Sequence, residues 1–583
     1  MTAFDTLIRG GRVIDGTGCP AYYADIGIRD GRIAAIGDLT ACTADTDIDA
    51  HGKTVAPGHV AQHAHYDVAL FWDPYLSNSG ENGVTTVVNA NCGFGVAPAK
   101  PEDRERTMQM LETTEQIPVA HQRSALPWDW ESFPDYLTRI RTLDKGVNIL
   151  SYLPLNPLLV YVMGVEAAKT RRPDAREMQE IHRLINEAMD AGAIGISMSS
   201  MGAEGNTHLD NDGTPMPTDT LDHDAILEIC EALVARGEGV IQLLSHLVIY
   251  GDRGLTERVL ARCKGTGVTV IHNAFITSDL MPDMLDRDLG WLDAMRACGY
   301  DLTANCFLHR GWIEAGMSQL DVACGMLNAV RKIVACKSDE ALLSLLDDSH
   351  FVEEFAAEYA AKGSTNGANG LEGQIVIAVG DAPELQKYLD RTIAEIAAEL
   401  GKGAVATMLE LATRSSLALQ LRSPEVASKD PRKAARMLSH TATVVGGSDG
   451  GAHTKSFGMG HVPTDLLIWL GREEQLLSQE ELHFHLALKP ARSVQIRDRG
   501  ALLPGYWADI LVYDLEALYF DTRRYEIVHD MPGGDWRRKG RAGGYEYILV
   551  NGQVTHRMDV PTGKTPGQLA CAGSRRQSRL AAV

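Results

Sequence analysis

The chain has 583 residues, of which 45% are hydrophobic and 23% are charged, and its formal net charge is −22. This length exceeds what one simple core needs, so we expect two or more structural units. The acidic balance argues against nucleic acid and anionic membrane as partners, because both favour basic surfaces.

The first residues carry no predicted targeting signal. Residues 1–18 alternate polar and apolar positions and lack the unbroken apolar core of a signal peptide. No run approaches the ~20 apolar residues that a membrane span needs. The ten cysteines are scattered without paired spacing, which is typical of reduced thiols. We therefore expect a cytoplasmic protein, and the sequence leaves a homo-oligomer open.

Both chain ends carry a pattern of short strands and tight turns. Residues 4–56 alternate apolar and polar positions between glycine-containing turns. Residues 508–514 form a predicted strand, and residues 547–555 form a predicted hairpin with an Asn-Gly turn. Since chain termini often lie close together, we predict one small β-sandwich, built from residues 1–57 and 491–583.

Between these ends, short apolar segments rich in β-branched residues alternate with helical patterns. This alternation indicates a parallel sheet, and the number of units suits a distorted TIM (β/α)8 barrel, which we predict over residues 58–490. Within about 312–435 the helical patterns are long and strands are few, so we predict late barrel helices plus a helical insertion there. The predicted strands are 85–88, 147–150, 194–197, 239–243, 268–271 and 441–445. The predicted helices include 174–192, 222–236, 255–264, 338–346, 384–401 and 404–419.

Two histidines, His63 and His65, follow the Pro57-Gly58 turn. In an extended strand, residues i and i+2 point to the same side, so both imidazoles can face one ion. Neutral imidazole is a preferred zinc ligand. On its own the His-x-His pattern is as consistent with chance as with a metal site, so the rest of the chain must supply further ligands.

Further metal-binding residue types fall at or just after predicted strands. In a barrel, catalytic groups lie at the carboxyl ends of the strands. A lone histidine in such a position is more often a packed residue, whereas six candidates at strand ends favour a metal centre. The four that join His63 and His65 are Cys92, His246, His272 and Asp449.

These residues resemble a known family. The segments 57–67, Asn91-Cys92-Gly93, the two single histidines and Ser448-Asp449-Gly450 are similar to the D-aminoacylase (N-acyl-D-amino-acid deacylase) branch of the amidohydrolase superfamily. The resemblance extends over nearly the whole chain, including 191–197 and 561–567. The Asn-Cys-Gly element is fairly specific, because many binuclear amidohydrolases use a carboxylated lysine where this branch has a cysteine.

The resemblance implies a zinc-dependent hydrolase of C–N bonds in small amide substrates. Cys92, His246 and His272 would hold a tight zinc ion, and His63, His65, the bridging Cys92 and Asp449 would form a second, weaker site. Asp449 would act as general base and then as general acid. An N-acyl amino acid is the substrate class that the family implies.

Several positions depart from the family pattern. The family usually has an Asp two residues before the first metal histidine. This chain has Ala61 at that position, which predicts a looser histidine site. The family usually has a basic residue two positions after each single histidine, and this chain has Val248 and Ala274 there. Because basic groups normally grip a substrate carboxylate, their loss favours a less polar amide.

Other residues are weaker candidates for contacts with the substrate. Arg310 and Lys455 would supply charge from another direction, although each is more often a solvated surface residue. His453, four residues after Asp449, and His309 are further candidates. The second His-x-His, His483 to His485, lies in the predicted helix 479–488, where i and i+2 diverge, so we interpret it as structural.

Two alternatives to amide hydrolysis stay open at this point. The same metal centre could hydrolyse an ester, a lactone, a lactam or a C–C bond. A non-catalytic scaffold is the alternative from another class of protein, and the retention of every expected ligand argues against it.

Overall fold

The computed structural model describes residues 3–202, 208–245, 253–277, 281–308, 310–320, 327–362, 370–425 and 429–571. Within these residues a ring of parallel strands forms a distorted barrel, as the sequence predicts. One parallel sheet runs from the first to the third barrel strand and a second from the third to the eighth. Strand Gly447–Gly450 pairs in parallel with His63–Ala64 and closes the ring. In chain order, the eight barrel strands are 59–64, Val84–Asn89, 148–154, Gly195–Ser200, Val240–Ser245, Thr269–Ile276, Leu302–Phe307 and 443–450.

Helices connect successive barrel strands, and local capping sets their ends. Asp174 accepts hydrogen bonds from the backbone N–H groups of the first turn of Ala175–Ala191, which Gly192 ends in a left-handed conformation with φ of 118°. Asp222 caps His223–Arg236 in the same way. The sequence predicts both helices to within one residue. The connecting helices are Arg104–Glu115, Val119–Ala125, Phe133–Thr142, Leu155–Met163, Val165–Thr170, Ala175–Ala191, Pro217–Thr220, His223–Arg236, Gly254–Cys263, Met284–Ala297 and Pro431–Ser439. After the eighth strand come Val462–Leu466, Gln479–His483 and Lys489–Ser493, joined by π-helical turns at Leu467–Glu473 and Phe484–Leu488.

Strands from both chain ends join in one nine-stranded sheet. Within this sheet the two ends meet at the antiparallel pair of Thr54–Pro57 with Ile510–Tyr513. Its buried apolar side chains, such as Val55 and Val512, form a core of their own. The hairpin at Asn551-Gly552 turns through two positive φ angles, 46° and 78°, as an Asn-Gly turn requires. The remaining strands of this sheet are Ala3–Val13, Tyr22–Arg29, Arg32–Gly37, Thr43–Asp49, Tyr545–Val550, Gln553–Arg557 and Val560–Pro561.

The segment between the seventh and eighth barrel strands has a separate hydrophobic core. Its described residues contain helices and an antiparallel sheet of three short strands, where the sequence predicts mainly helices. Predicted helix 384–401 is also divided, into the 3-10 turn Pro383–Tyr388 and the helix Ile393–Leu400. The helices are Asn328–Val334, Asp339–Leu346, Ser349–Lys362, Ile393–Leu400 and Ala404–Arg414, and the strands are Glu314–Ala315, Ile375–Val379 and Leu419–Arg422.

The sixth barrel strand is longer than the sequence predicts. It extends to Ile276, so His272 lies inside the strand rather than at its end. The pairing with the seventh strand shifts register between His272 and Phe275. In the sequence, the apolar run that predicts this strand stops at the polar pair His272 and Asn273. None of the helices in the described residues is both long and apolar enough to cross a membrane.

Candidate metal centre

The first barrel strand presents two histidines at its carboxyl end. His63 and His65 are 2% and 3% exposed. Their Nε2 atoms lie 3.2 Å apart, so both rings direct a nitrogen toward one point. Burial lowers the pKa of His63 to about 3, which keeps this imidazole in the neutral form that binds metal ions.

Cys92 joins this pair from the turn after the second barrel strand. Its Sγ lies 3.5 Å from His63 Nε2, and the ligand atoms of Cys92, His63 and His65 all lie within 4.8 Å of one another. The turn is tight, with φ of 56° at Cys92, a conformation uncommon for a residue with a side chain. The side chain of Gln242 holds it in place by accepting a 2.7 Å hydrogen bond from the Cys92 N–H.

Asp449 approaches the same point from the eighth barrel strand. Its Oδ1 lies 3.2 Å from His63 Nε2 and 3.9 Å from His65 Nε2. The backbone at Asp449 has a positive φ of 42°, which turns the carboxylate back toward the histidines. Burial raises the pKa of Asp449 to about 7.

Of the two single histidines of the predicted tight site, the structure describes only His272. His272 is buried, and its Nδ1 lies 3.0 Å from the hydroxyl of Thr256, which leaves Nε2 as the nitrogen available to an ion. Its ring packs against Trp291 and Phe275. Among the described residues, His272 is outside the group of three whose ligand atoms lie within 4.8 Å. His246 lies outside the described residues, as does Val248.

Buried polar side chains from six barrel strands support the centre from below. Ser448 Oγ donates to the backbone oxygen of His63 at 3.0 Å, and Ser197 Oγ accepts from Gly93 N at 3.1 Å. The carboxamides of Asn273 and Asn305 lie 2.9 and 3.1 Å from His63 Nδ1. We call this set the polar floor; it consists of Asn89, Ser197, Gln242, Asn273, Asn305 and Ser448.

The donor set fits a zinc ion. The carboxamide atoms nearest His63 Nδ1 are the nitrogens, and the oxygens of Asn273 and Asn305 find no hydrogen-bond partner among the described residues. Turning either carboxamide by 180° would let its oxygen accept a proton on Nδ1, which leaves the lone pair of Nε2 facing the centre. Burial and the nearby carboxylates raise the pKa of the Cys92 thiol well above its ordinary value. A bound cation reverses this effect and favours the thiolate. Two imidazoles, a thiol and a carboxylate converging on one point are ligands that zinc prefers.

The sequence reasoning did not single out the polar floor or Glu115, a buried carboxylate on the far side of His65. An Asn, Gln or Ser inside an apolar strand has no sequence pattern that marks it as part of a site. These side chains come close to the ligands only because the barrel closes. Glu115 ends the helix Arg104–Glu115 within a polar stretch, where its sequence neighbours predict an exposed residue.

Two of the four predicted substrate contacts, Arg310 and Lys455, pair with acidic side chains in the structure. The guanidinium of Arg310 pairs with Asp465 at 2.8 Å and with Glu473 at 2.7 Å. The ammonium of Lys455 pairs with Asp535 at 2.8 Å. His453 lies close to the centre, with Nε2 at 4.0 Å from a carboxylate oxygen of Glu115. His309 lies outside the described residues.

Comparison with known proteins identifies the family. The model of the amidohydrolase family matches residues 47–228 and 339–556, which is more than half of the chain. The chain belongs to the amidohydrolase family. The predicted resemblance to its D-aminoacylase branch is confirmed, and so is the prediction of a hydrolase.

Two curated relatives of this amidohydrolase come from Alcaligenes xylosoxydans xylosoxydans. An N-acyl-D-glutamate deacylase is 25% identical over 578 residues, which cover 97% of this chain and 96% of that protein. A D-aminoacylase is 26% identical over 581 residues, which cover 97% of both chains.

Solved structures of such enzymes share the fold. A crystal structure of D-aminoacylase has a TM-score of 0.63 and 22% identity, covering 97% of this chain and 100% of that one. The N-acyl-D-glutamate deacylase from Bordetella bronchiseptica, complexed with zinc and a phosphonate inhibitor, has a TM-score of 0.63 and 22% identity, covering 98% and 100%.

Proposed function

We propose that this amidohydrolase is zinc-dependent and cleaves the C–N bond of an amide with an activated water. The observation that carries the proposal is the convergence of His63, His65 and Cys92 within 4.8 Å, with Asp449 3.2 Å from His63. These residues lie at the carboxyl ends of the first, second and eighth barrel strands, and such convergence at one end of a barrel is typical of a catalytic centre.

The ligand assignment follows the family pattern. Cys92, His246 and His272 would hold the tight zinc, and His63, His65, Cys92 and Asp449 would provide a second, weaker site. Zinc bound there would polarise the scissile carbonyl and lower the pKa of a water molecule toward ~7.

Asp449 moves the proton in this proposal. Its carboxylate accepts a proton from the attacking water and then donates it to the leaving nitrogen, acting as base and then as acid. The backbone holds it in register with the histidines, because His65 N donates to the Gly450 oxygen at 2.8 Å. Ser448 donates to the His63 oxygen from the preceding position, so the carboxylate and the two imidazoles are fixed as one unit.

The surroundings favour a less polar amide over an anionic N-acyl amino acid. Ala274 lacks the basic group of the family pattern, and Arg310 and Lys455 each pair with acidic side chains. A substrate carboxylate would have to displace those partners before it could bind either cation, at a cost in desolvation and lost pairing.

A matched pair of amides tests this proposal. Purified full-length protein should contain at least one zinc per chain, measured by elemental analysis. It should also cleave the bond between the acetyl group and the α-nitrogen of N-acetyl-D-methioninamide. We expect kcat/KM for this neutral compound to exceed that for N-acetyl-D-methionine, which differs only in carrying a carboxylate. A preference of tenfold or more for the carboxylate would contradict the substrate class. A protein that binds no zinc and hydrolyses neither compound would support the alternative of a non-catalytic scaffold. Turnover of ester analogues alone would mean that the enzyme is an esterase and not an amidase.

A further inference from the structure

We propose that Glu115 is a positioning residue of the metal centre, whose carboxylate orients His65 from the side opposite the ion. The inference rests on the proposed function, because it assigns His65 as a ligand. It adds a residue outside the barrel strands to the set that builds the site.

The His65 ring lies between the centre and Glu115. Its Nε2 is 3.2 Å from His63 Nε2, while its Nδ1, on the opposite side of the ring, is 3.6 Å from Oε1 of Glu115. Glu115 is 4% exposed, so its carboxylate is held away from bulk water beside the imidazole.

The 3.6 Å between Oε1 and Nδ1 is an electrostatic contact rather than a hydrogen bond, and a carboxylate at this distance favours one tautomer of the imidazole. It favours the proton on Nδ1 and so leaves the lone pair of Nε2 for an ion. Acceptors placed behind metal-binding histidines raise the basicity of the ligand and fix the orientation of the ring. For His63 the carboxamides of Asn273 and Asn305 occupy the corresponding place; for His65 it is Glu115.

Glu115 also contacts the segment that carries Asp449. Its backbone oxygen accepts a 2.6 Å hydrogen bond from His453 N, and its Oε2 lies 4.0 Å from His453 Nε2. His453 lies four residues after Asp449. Glu115 therefore connects a histidine of the first barrel strand to the turn that follows the eighth.

The position of Glu115 bears on the departure from the family pattern at Ala61. Ala61, two residues before His63, offers a buried methyl group and no hydrogen-bond acceptor. We infer that the carboxylate that helps to fix the histidine pair comes instead from the carboxyl end of the helix Arg104–Glu115.

Metal titration of the full-length chain tests this inference. The variants are Glu115→Gln, which keeps an acceptor and removes the charge, and Glu115→Leu, which removes both. Glu112→Gln is the matched control, because Glu112 is an exposed glutamate one turn earlier whose carboxylate accepts from Val119 N. Metal-stripped protein is titrated with Zn²⁺, bound zinc per chain is counted, and the melting temperature of the metal-free form is recorded.

We expect the affinity of the weaker site to fall about tenfold in Glu115→Gln and up to about 100-fold in Glu115→Leu, with the tighter site filled in both. The metal-free melting temperature should stay within a few degrees of wild type, because a buried carboxylate contributes little to net stability. Variants that match Glu112→Gln and wild type in zinc affinity would overturn the inference and leave the proposed function intact. Wild-type protein that binds no zinc would instead contradict the proposed function.

Discussion

Two pairs of buried histidines involve the first barrel strand, and they differ in what surrounds them. His63 and His65 lie at its carboxyl end, with ring centroids 5.2 Å apart and planes tilted by 57°. His59, at its other end, stacks on His483 with centroids 5.3 Å apart and planes at 9°. The centroid distances are almost equal, yet only the tilted pair brings two nitrogens to one point.

The partners of the two pairs explain the difference. Cys92 and Asp449 lie beside His63, whereas His483 hydrogen-bonds the Tyr513 hydroxyl at 2.7 Å. The two ring nitrogens of His59 find no hydrogen-bond partner among the described residues. Burial lowers the pKa of both His59 and His63, so neutral, buried imidazole is common to the two places. What distinguishes a candidate metal site is the convergence of donor atoms.

Among the substitutions that leave the tight zinc bound, the largest effect on activity is expected at Asp449. Asp449→Asn keeps the size of the side chain and removes its ability to take up a proton, so kcat should fall by roughly 10²–10⁴-fold. The tight zinc should stay bound, because three other residues hold it in the proposed assignment. Steady-state kinetics and zinc analysis of the same preparation measure both quantities. A rate within about threefold of wild type would remove Asp449 from the role of general base.

The comparison of the two histidine pairs is tested by the same substitution at each end of the strand. His65→Asn should lower the affinity of the weaker zinc site by about 100-fold or more, because it removes a direct ligand. His59→Asn is an equally buried change on the same strand and should leave zinc affinity within about twofold. Zinc titration of both metal-stripped variants provides the measurement. Equal losses in the two variants would mean that burial alone, and not convergence, accounts for the effect.

A smaller effect is expected in the polar floor. Gln242→Leu leaves the buried N–H of Cys92 without its acceptor, which should cost about 1–3 kcal/mol of folding free energy. Zinc affinity should fall about tenfold, because the turn that presents the thiol is less firmly held. Denaturant unfolding and zinc titration check the two effects. An unchanged affinity together with the loss of stability would limit Gln242 to a structural role.

The sequence predicts most of the frame because local signals determine it. Capping residues Asp174, Asp222 and Gly192 mark helix ends, and the Asn551-Gly552 pair marks a hairpin. The barrel could be predicted from β-branched runs separated by helical patterns. The extent of the strand that contains His272 could not, since the polar pair His272 and Asn273 ends the apolar run on which the prediction rests.

The candidate site was predictable only in part. His63, His65, Cys92 and Asp449 carry recognisable chemistry at the ends of strands, and the structure brings them together. The residues that contact these ligands could not be predicted. Asn305, Gln242 and Glu115 come close to the ligands only through contacts between segments that are distant in sequence. Ordinary polar residues of this kind have no sequence pattern that separates them from surface positions.

The central claim is that the thiol of Cys92 and the imidazoles of His63 and His65 are ligands of one metal centre. Cobalt(II) reports thiolate ligation directly, because a cobalt–thiolate bond produces a charge-transfer absorption band in the near ultraviolet. We predict that metal-stripped full-length protein shows this band on addition of Co²⁺, and that Cys92→Ala, which keeps the histidines, lacks it and loses both metal and activity. Absence of the band in wild type, or an equal band in Cys92→Ala, would contradict the account.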